Sequence, residues 1–322
     1  MITFKNVRKT FADGTEAIKG IDLHIEEGKL VALIGPSGCG KTTTMKMINK
    51  LIHPSSGTIS INGKNIAERK DVDLRRDIGY VIQRIGLFPH MTIEENVALI
   101  PKLKGMKKHE YTKRVDELLD LVGLEPPVFK KKYPLELSGG QQQRVGVVRA
   151  LAGEAPIILM DEPFSALDPI SREQLQDELK ELQSAIRKTI VFVTHDMDEA
   201  LKVADEIVVM KDGMIEQIAH PDELIRHPAN EFVRSFIGEE RIQSALHSFS
   251  PKEIQVTSIL NQPAEDSTDL PVIESTADLK AAAKAMILNN AEALQVMQEG
   301  IMIGVIYKDR LLSELAGLER GA

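Results

Sequence analysis

One glycine-rich run near the start of the chain sets its architecture, and it consists of Gly35-Pro36-Ser37-Gly38-Cys39-Gly40-Lys41-Thr42. The run fits the pattern G-x-x-x-x-G-K-[ST]. It follows Leu30 to Ile34, which is typical of a buried strand, and it precedes residues that favour a helix. Glycines let the backbone wrap closely around phosphate oxygens, and the following helix turns its positive N-terminal end toward them. The pattern predicts a phosphate-binding loop, and its flanks disfavour a simple glycine-rich turn.

Short β-branched runs alternate with longer amphipathic segments on the C-terminal side of this loop. Three runs are typical of buried strands: Ile78 to Ile82, Ile157 to Met160 and Thr189 to Val193. Two longer segments are typical of amphipathic helices: Glu110 to Val122 and Ser171 to Ile186. This alternation predicts an α/β fold with a parallel-sheet core. Asn62-Gly63 and Asp212-Gly213 each follow an apolar run, which predicts hairpins and therefore antiparallel strands at the margins.

Charge, apolar content and cysteine content limit the classes of protein to which this chain can belong. The chain carries 48 acidic and 40 basic residues, a net charge of −8, which argues against a broad surface for nucleic acid. No apolar run approaches the ~20 residues that a membrane-spanning helix needs, and no export signal is visible, so we expect a soluble chain. The single cysteine, Cys39, cannot form an intrachain disulfide, which fits the cytoplasm.

Two carboxylates follow the predicted strand Ile157 to Met160. Parallel strands present their carboxyl ends to the ligand crevice, so Asp161 and Glu162 are expected there. Asp161 is expected to hold Mg²⁺ through water together with the Thr42 hydroxyl, and Glu162 to polarise a water that attacks phosphate. Taken alone, the pair would indicate an acidic turn; beside a phosphate-binding loop it indicates hydrolysis. Lys41 is expected to reach the β and γ phosphates.

A third motif lies between these two, Leu137-Ser138-Gly139-Gly140-Gln141 at the start of a predicted helix. It resembles the signature of the ABC ATPase family. Backbone N–H groups at a helix N-terminus form a second phosphate-binding surface, which one nucleotide does not need. The resemblance implies a homodimer in which Ser138, Gly139, Gly140 and Gln141 of one copy close over the ATP held by the other, with ATP and Mg²⁺ as the ligands.

The same resemblance implies roles for further residues. Phe11 resembles the aromatic that stacks on adenine, although core packing would also explain it. Gln83 resembles the glutamine that contacts Mg²⁺ and the attacking water, and His195 the histidine that hydrogen-bonds the γ-phosphate. The dimer-interface segment corresponds to Ser165, Ala166, Leu167 and Asp168. Besides Phe11, the expected ATP-binding residues are Gly35, Pro36, Ser37, Gly38, Cys39, Gly40, Lys41, Thr42 and Thr43.

Within that family, one group of importers is especially similar. The runs Ile78 to Thr92 and Asp168 to Arg172 resemble the ATPases of importers for quaternary-amine osmoprotectants such as glycine betaine, choline and carnitine. The resemblance implies permease subunits in the membrane, an extracytoplasmic binding protein, and a position on the cytoplasmic face of the cell membrane. The alternatives are an importer of another small solute, an exporter, or a non-transport ABC ATPase. Non-transport ABC ATPases of chromosome maintenance contain a long coiled coil. The residues between Lys41 and Ser138 lack the sustained heptads that would indicate one.

The C-terminal part of the chain is expected to be separate. The resemblance to the ATPase domain covers residues 1–238, and we expect a linker over residues 239–270. Residues 271–322 resemble a single CBS motif in a βαββα order, which implies pairing of two tails across a dimer and control by a regulatory nucleotide or by ionic strength. The alternative is a degenerate tail that only packs.

Overall fold

The computed structural model describes residues 1–82, 86–165, 167–243, 256–260, 270–277, 279–298 and 301–312. The chain divides into two compact units, Met1–Phe236 and Ile237–Ala322. Across the described ranges, every helix is too short or too polar to span a bilayer.

Ten strands lie among the described residues of the first unit. They are β1 (Ile2–Thr10), β2 (Glu16–Ile25), β3 (Leu30–Ile34), β4 (Ser56–Ile61), β5 (Lys64–Asn65), β6 (Ile78–Val81), β7 (Ile157–Asp161), β8 (Thr189–Val193), β9 (Glu206–Lys211) and β10 (Met214–Ala219). Six of them form one sheet in the order β10-β9-β3-β8-β7-β6, which is parallel except for β10. The other four form an antiparallel sheet in the order β2-β1-β4-β5. The predicted parallel core with antiparallel margins is confirmed.

In the same described ranges, ten α-helices accompany these strands. They are α1 (Lys41–Ile48), α2 (Asp71–Arg76), α3 (Ile93–Leu103), α4 (Lys108–Leu121), α5 (Pro126–Phe129), α6 (Gly139–Ala152), α7 (Pro169–Ile186), α8 (Met197–Val203), α9 (Pro221–Arg226) and α10 (Glu231–Ile237). Helices α3, α4 and α6 pack on one another, and α5 packs on α4, which gives the helical subdomain that carries Ser138 to Gln141.

The two predicted hairpins lie where their dipeptides indicated. Asn62 and Gly63 join β4 to β5 with φ of 51° and 74°, and Asp212 and Gly213 join β9 to β10 with φ of 47° and 81°. Positive φ at both central residues is the geometry of a type I′ turn, which matches the twist of the flanking strands.

The central strands of the large sheet bring distant segments to one edge. Every residue of β3, β7 and β8 is buried, as expected for parallel strands covered on both faces. In the register of these strands, Val193 pairs with Leu33 on one side and with Asp161 on the other. The three strands therefore end at the same level, and whatever follows each of them lies at the same edge.

One buried cluster fills the space between the two sheets. It includes Phe4 and Ile25 from the antiparallel sheet, Leu33 and Val193 from the parallel sheet, and Met45 from α1. This packing anchors α1 to the core and so fixes the position of the loop that precedes the helix.

The second unit has its own small sheet and core. Strands β11 (Val272–Glu274), β12 (Ala293–Gln298) and β13 (Ile301–Tyr307) form the sheet β11-β12-β13, and helix α11 spans Leu279–Asn289. Residues 308–312 are helical, which continues the predicted βαββα order. Its core contains Leu279, Leu294 and Ile306, and it also contains Val256 and Ile259 from the stretch expected to be a linker. The domain boundaries and the CBS resemblance stay predictions.

Candidate functional site

The loop after β3 needs glycine at two positions where other chain segments press against it. Gly35 has φ 150°, and a Cβ there would lie 2.1 Å from the Met210 carbonyl oxygen. Gly40 has φ 106°, and a Cβ there would lie 2.5 Å from Ile18 Cδ1 and 2.8 Å from the Ala17 carbonyl oxygen. Since a side chain at either position would collide with backbone, these two glycines are sterically required.

Lys41 places its charge inside this loop. Its Nζ donates to the carbonyl oxygens of Gly35 at 2.6 Å and Pro36 at 2.9 Å, and the side chain is only 7% exposed. The Cys39 thiol lies 3.9 Å from the same ammonium. Burial raises the pKa of Cys39, which keeps the thiol protonated at neutral pH and therefore a poor nucleophile.

The first carboxylate after β7 meets the start of α1. Thr42 Oγ1 donates to Asp161 Oδ1 at 3.2 Å, and Lys46 Nζ lies 3.9 Å from Asp161 Oδ2. Burial raises the pKa of Asp161, while the charge of Lys46 and the Thr42 hydroxyl act in the opposite direction. Lys46 was not among the predicted residues; its position four residues after Thr42, on the same face of a helix, is the signal that would have found it.

The second carboxylate stands on a strained backbone. Glu162 has φ 46°, in the left-handed region that non-glycine residues rarely adopt. Its N–H donates to the Val193 carbonyl oxygen at 3.0 Å, which holds the turn against the end of β8. Glu162 Oε1 lies 3.6 Å from His195 Nδ1. Backbone strain of this kind is concentrated at functional sites, where it aims a side chain.

The loop and these polar side chains line a single cleft of about 420 Å³. Its lining residues are Ser37, Gly38, Gly40, Lys41, Thr42, Thr43, Glu162 and His195. Residues from three separate segments of the sequence therefore meet at the carboxyl edge of the large sheet. Loop N–H groups, an ammonium, a carboxylate and an imidazole therefore share one small cleft.

The residues Ser138 to Gln141 lie at the start of α6, outside this cleft. Ser138 Oγ accepts from the Gln141 N–H at 3.3 Å, and Gln141 Oε1 accepts from the Ser138 N–H at 3.0 Å, so the two residues form a capping box at the start of α6. A Cβ on Gly140 would lie 3.3 Å from Ser171, near the start of α7. None of these residues lines the cleft of its own chain.

The segment Ser165 to Asp168 leads from the cleft to α7. Ser165 Oγ donates to the Glu162 carbonyl oxygen at 3.0 Å. Asp168 caps α7 by accepting from the Ser171 N–H at 3.1 Å, and hydrogen bonds from Ser171 lower the pKa of the Asp168 carboxyl. Ala166 and Gln83, two of the predicted residues, lie outside the described residues.

Phe11 lies on the surface. Its ring is 38% exposed, and Lys9 Nζ stands 5.2 Å from the ring centroid. A tight turn, in which the Phe11 N–H donates to the Thr15 carbonyl oxygen at 2.9 Å, holds the residue after β1. Core packing, the alternative explanation for this aromatic, does not apply.

Known proteins are similar to this chain over most of its length. A sequence model of the ABC transporter family matches residues 18–165. The choline transport ATP-binding protein OpuBA of Bacillus subtilis is 52% identical over 298 residues, which cover 92% of this chain and 77% of that protein. The glycine betaine/carnitine/choline transport ATP-binding protein OpuCA of the same organism is 60% identical over 242 residues, covering 75% of this chain and 63% of that protein.

A solved structure is similar over about two thirds of the chain. It is an ATP-binding cassette described as a dimer in a post-hydrolysis state bound to ADP and Pi; it has a TM-score of 0.62 and 40% sequence identity, and the match covers 69% of this chain and 99% of that one. The residues that the family model matches include the glycine-rich loop and Glu162. The chain belongs to the ABC transporter family, as one of its ATP-binding subunits.

Proposed function

We propose that this chain is the ATP-hydrolysing subunit of an importer and that its cleft binds the triphosphate of ATP. The observation that carries the proposal is the convergence of Lys41, Glu162 and His195 on one cleft beneath a glycine-rich loop. Loop N–H groups and the N-terminus of α1 bind the phosphate oxygens, and Lys41 exchanges its carbonyl partners for the β and γ phosphates.

Hydrolysis then requires a water in line with the γ-phosphate. Glu162 orients this water and accepts its proton as the new P–O bond forms and the bond to ADP breaks. His195 hydrogen-bonds the γ-phosphate, and its position 3.6 Å from Glu162 brings both side chains to the same reacting group. The strained turn at Glu162 gives that carboxylate a direction that an unstrained strand end would not.

The oxygen donors at the base of the cleft suit Mg²⁺. Thr42 and Asp161 present a hydroxyl and a carboxylate 3.2 Å apart, and Mg²⁺ prefers one or two protein oxygens beside phosphate oxygens and water. These two residues would hold the ion, with Gln83 as the third predicted ligand. Bound Mg²⁺ neutralises charge on the phosphate oxygens.

A second copy of the chain completes the site. Ser138 to Gln141 form a phosphate-binding helix N-terminus, yet none of them lines the cleft of its own chain. In a head-to-tail homodimer these residues close over the ATP of the partner subunit, and Ser165 to Asp168 lie at the interface. The dimeric state of the similar cassette supports this arrangement.

The solute we propose is a quaternary-amine osmoprotectant: glycine betaine, choline or carnitine. Two relatives that are 52% and 60% identical carry these solutes in their names. A quaternary ammonium is held by an aromatic cage, and this chain has no Trp and four Tyr, so recognition belongs to partner chains. Those partners are membrane permease subunits and an extracytoplasmic binding protein, with this chain on the cytoplasmic face of the membrane.

Uptake measurements test the solute class. Vesicles that contain the chain assembled with its permease and binding protein are expected to accumulate at least one of glycine betaine, choline and carnitine when ATP is enclosed. Ferric ion serves as the control solute. Uptake of the control without any of the three amines would assign the chain to an importer of another small solute.

Glu162→Gln tests the catalytic assignment. The amide keeps the shape of the side chain but cannot accept a proton, so hydrolysis is expected to fall by about 10²-fold or more. ATP binding and the ATP-dependent dimer are expected to persist, which size-exclusion chromatography with ATP and Mg²⁺ checks.

Glu173→Gln on the exposed part of α7 is the matched control, because it makes the same chemical change at a residue that does not line the cleft. It is expected to hydrolyse ATP at the wild-type rate. A Glu162→Gln protein that loses less than about tenfold in rate, or that stays monomeric with ATP, would contradict the role of Glu162.

A further inference from the structure

A buried carboxylate stands behind the cleft, where the chemistry described above does not use it. Glu199, in the first turn of α8, is 6% exposed, and its Oε2 accepts from Thr194 Oγ1 at 2.5 Å. Thr194 is 1% exposed and directly precedes His195. The Thr194 hydroxyl also accepts from the Asp196 N–H at 3.0 Å, so it bridges the two sides of the turn that carries His195.

The other oxygen of this carboxylate faces α7. Arg172 Nε lies 3.8 Å from Glu199 Oε1, and among the described residues this buried N–H has no hydrogen-bond acceptor. Arg172 Nη2 donates to the Leu167 carbonyl oxygen at 3.2 Å. One guanidinium therefore contacts both Glu199 and the segment Ser165 to Asp168.

These contacts join the two catalytic turns from behind. The Ser165 hydroxyl donates to the Glu162 carbonyl oxygen, and Arg172 donates to the Leu167 carbonyl oxygen in the same segment. Arg172 also faces Glu199, which accepts from Thr194, the residue before His195. Glu162 Oε1 lies 3.6 Å from His195 Nδ1 in the cleft, so this series of contacts forms a closed ring. A buried carboxylate is costly without partners, and its two charged or polar partners here both lie on segments that carry or border the cleft.

We propose that Glu199 is a positioning residue, which sets the His195 turn through Thr194 and ties that turn through Arg172 to the segment after Glu162. This inference rests on the proposed roles of Glu162 and His195. Because Ser165 to Asp168 lie at the proposed dimer interface, closure of the dimer is transmitted to His195 through this connection.

The test compares hydrolysis with ATP binding in the full chain. Thr194→Val removes the hydroxyl at constant shape, and Glu199→Gln removes the charge that faces Arg172. Each is expected to lower kcat by about 10- to 100-fold, the size of effect expected when a reacting group is misplaced. Affinity for a fluorescent ATP analogue is expected to stay within about twofold, because neither side chain lines the cleft.

Two further variants separate positioning from simple stability. Thr194→Ser keeps the hydroxyl and is expected to retain kcat within about twofold of wild type. Asp177→Asn, the matched control, removes a carboxylate from the same α7 and α8 contact, where it pairs with Lys202 at 2.8 Å on the surface. It is expected to leave kcat unchanged. Loss of kcat in Thr194→Ser or in Asp177→Asn equal to that in Thr194→Val would overturn the inference.

A double variant tests the link to Arg172. If Arg172 and Glu199 act as one unit, Arg172→Gln combined with Glu199→Gln lowers kcat by much less than the product of the two single effects. Multiplicative effects would overturn the link. If Glu199→Gln and Thr194→Val keep wild-type kcat while Glu162→Gln is inactive, this inference is wrong and the proposed function stands. If Glu162→Gln is active, the proposed function itself is wrong.

Discussion

At the scale of single residues, the cleft depends on side chains that the backbone aims. Glu162 follows β7 directly and turns into the left-handed region, with φ 46°, so its carboxylate leaves the strand direction and faces His195. Asp161, its neighbour, keeps the strand conformation and contacts Thr42 instead. Two adjacent carboxylates thus face different partners because the backbone changes conformation between them.

Phe11 presents an exposed aromatic ring on the surface of the first unit. If its exposed ring stacks on adenine, Phe11→Ala weakens ATP binding by about 1–3 kcal/mol, the range for stacking on a base. Phe11→Tyr keeps the ring and is expected to be nearly neutral. Titration with a fluorescent ATP analogue measures both affinities.

Phe129→Ala provides the control for this prediction. The Phe129 ring also lies beside a lysine, with Lys132 Nζ 4.6 Å from its centroid, but Phe129 belongs to the helical subdomain. It is expected to leave ATP affinity unchanged. Equal affinities for the wild type and Phe11→Ala would exclude the stacking role.

At the scale of elements, α6 combines a structural and a proposed functional task at one end. The Ser138 hydroxyl caps the helix by accepting the Gln141 N–H, while the remaining N–H groups of the first turn are available to a phosphate. Helix α3 starts with the same device, in which Thr92 and Glu95 form a capping box. The two helices allow the cap and the phosphate site to be tested separately.

Substitutions at Ser138 distinguish these tasks. Ser138→Ala is expected to lower stability by about 1 kcal/mol through loss of the cap. Ser138→Asp keeps a good capping oxygen, and hence stability, but sets a negative charge against the partner's ATP; its hydrolysis is expected to fall at least about tenfold. Denaturant unfolding and steady-state ATPase assays give the two quantities.

Thr92→Ala is the matched change in α3. It is expected to cost a similar free energy of unfolding, about 1 kcal/mol, with the ATPase rate of the folded protein unchanged. Wild-type hydrolysis by Ser138→Asp would show that this helix N-terminus does not meet phosphate.

At the scale of the whole molecule, two units with separate cores share one chain. The core cluster of the first unit runs from Ile2 to Met210, and that of the second runs from Val256 to Leu311. The cleft is built entirely from the first unit. Catalysis is therefore expected to need only the first unit, and we propose that the second one controls it through a regulatory nucleotide or ionic strength, in a pair of tails across the dimer.

Truncation after Gly238 tests this division. ATP hydrolysis by the assembled transporter is expected to remain largely intact, because the first unit keeps its core. Control is expected to be lost: a coupling of about 1–3 kcal/mol corresponds to a change of about 5- to 150-fold in transport. Amine uptake in vesicles, measured across a series of internal salt and nucleotide concentrations at equal assembly, compares the two forms.

The shape of the response curves decides between control and packing. Identical curves for the full-length and truncated chains would contradict a regulatory tail. A truncated chain that fails to fold or dimerise would instead assign the second unit a structural role.

The sequence by itself determined whatever depends on neighbouring residues. The glycine-rich loop, the hairpin turns and the carboxylates at the end of β7 all follow from short patterns, because the conformation of such segments is governed by local sterics and periodicity. The family signature at Ser138 was equally visible, since it occupies one continuous stretch. The resemblance to a CBS motif implied the βαββα order of residues 271–322, and β11, α11, β12 and β13 follow that order.

Only the tertiary structure decided which of these segments meet. Thr42 and Asp161 are 119 residues apart in sequence and touch because β3, β8 and β7 lie side by side in parallel register. The left-handed turn at Glu162, the approach of Lys46 and the ring through Glu199 arise from the same packing. No local pattern specifies strand order or register, because these are set by the burial of all the strands together, and that burial is a property of the folded chain.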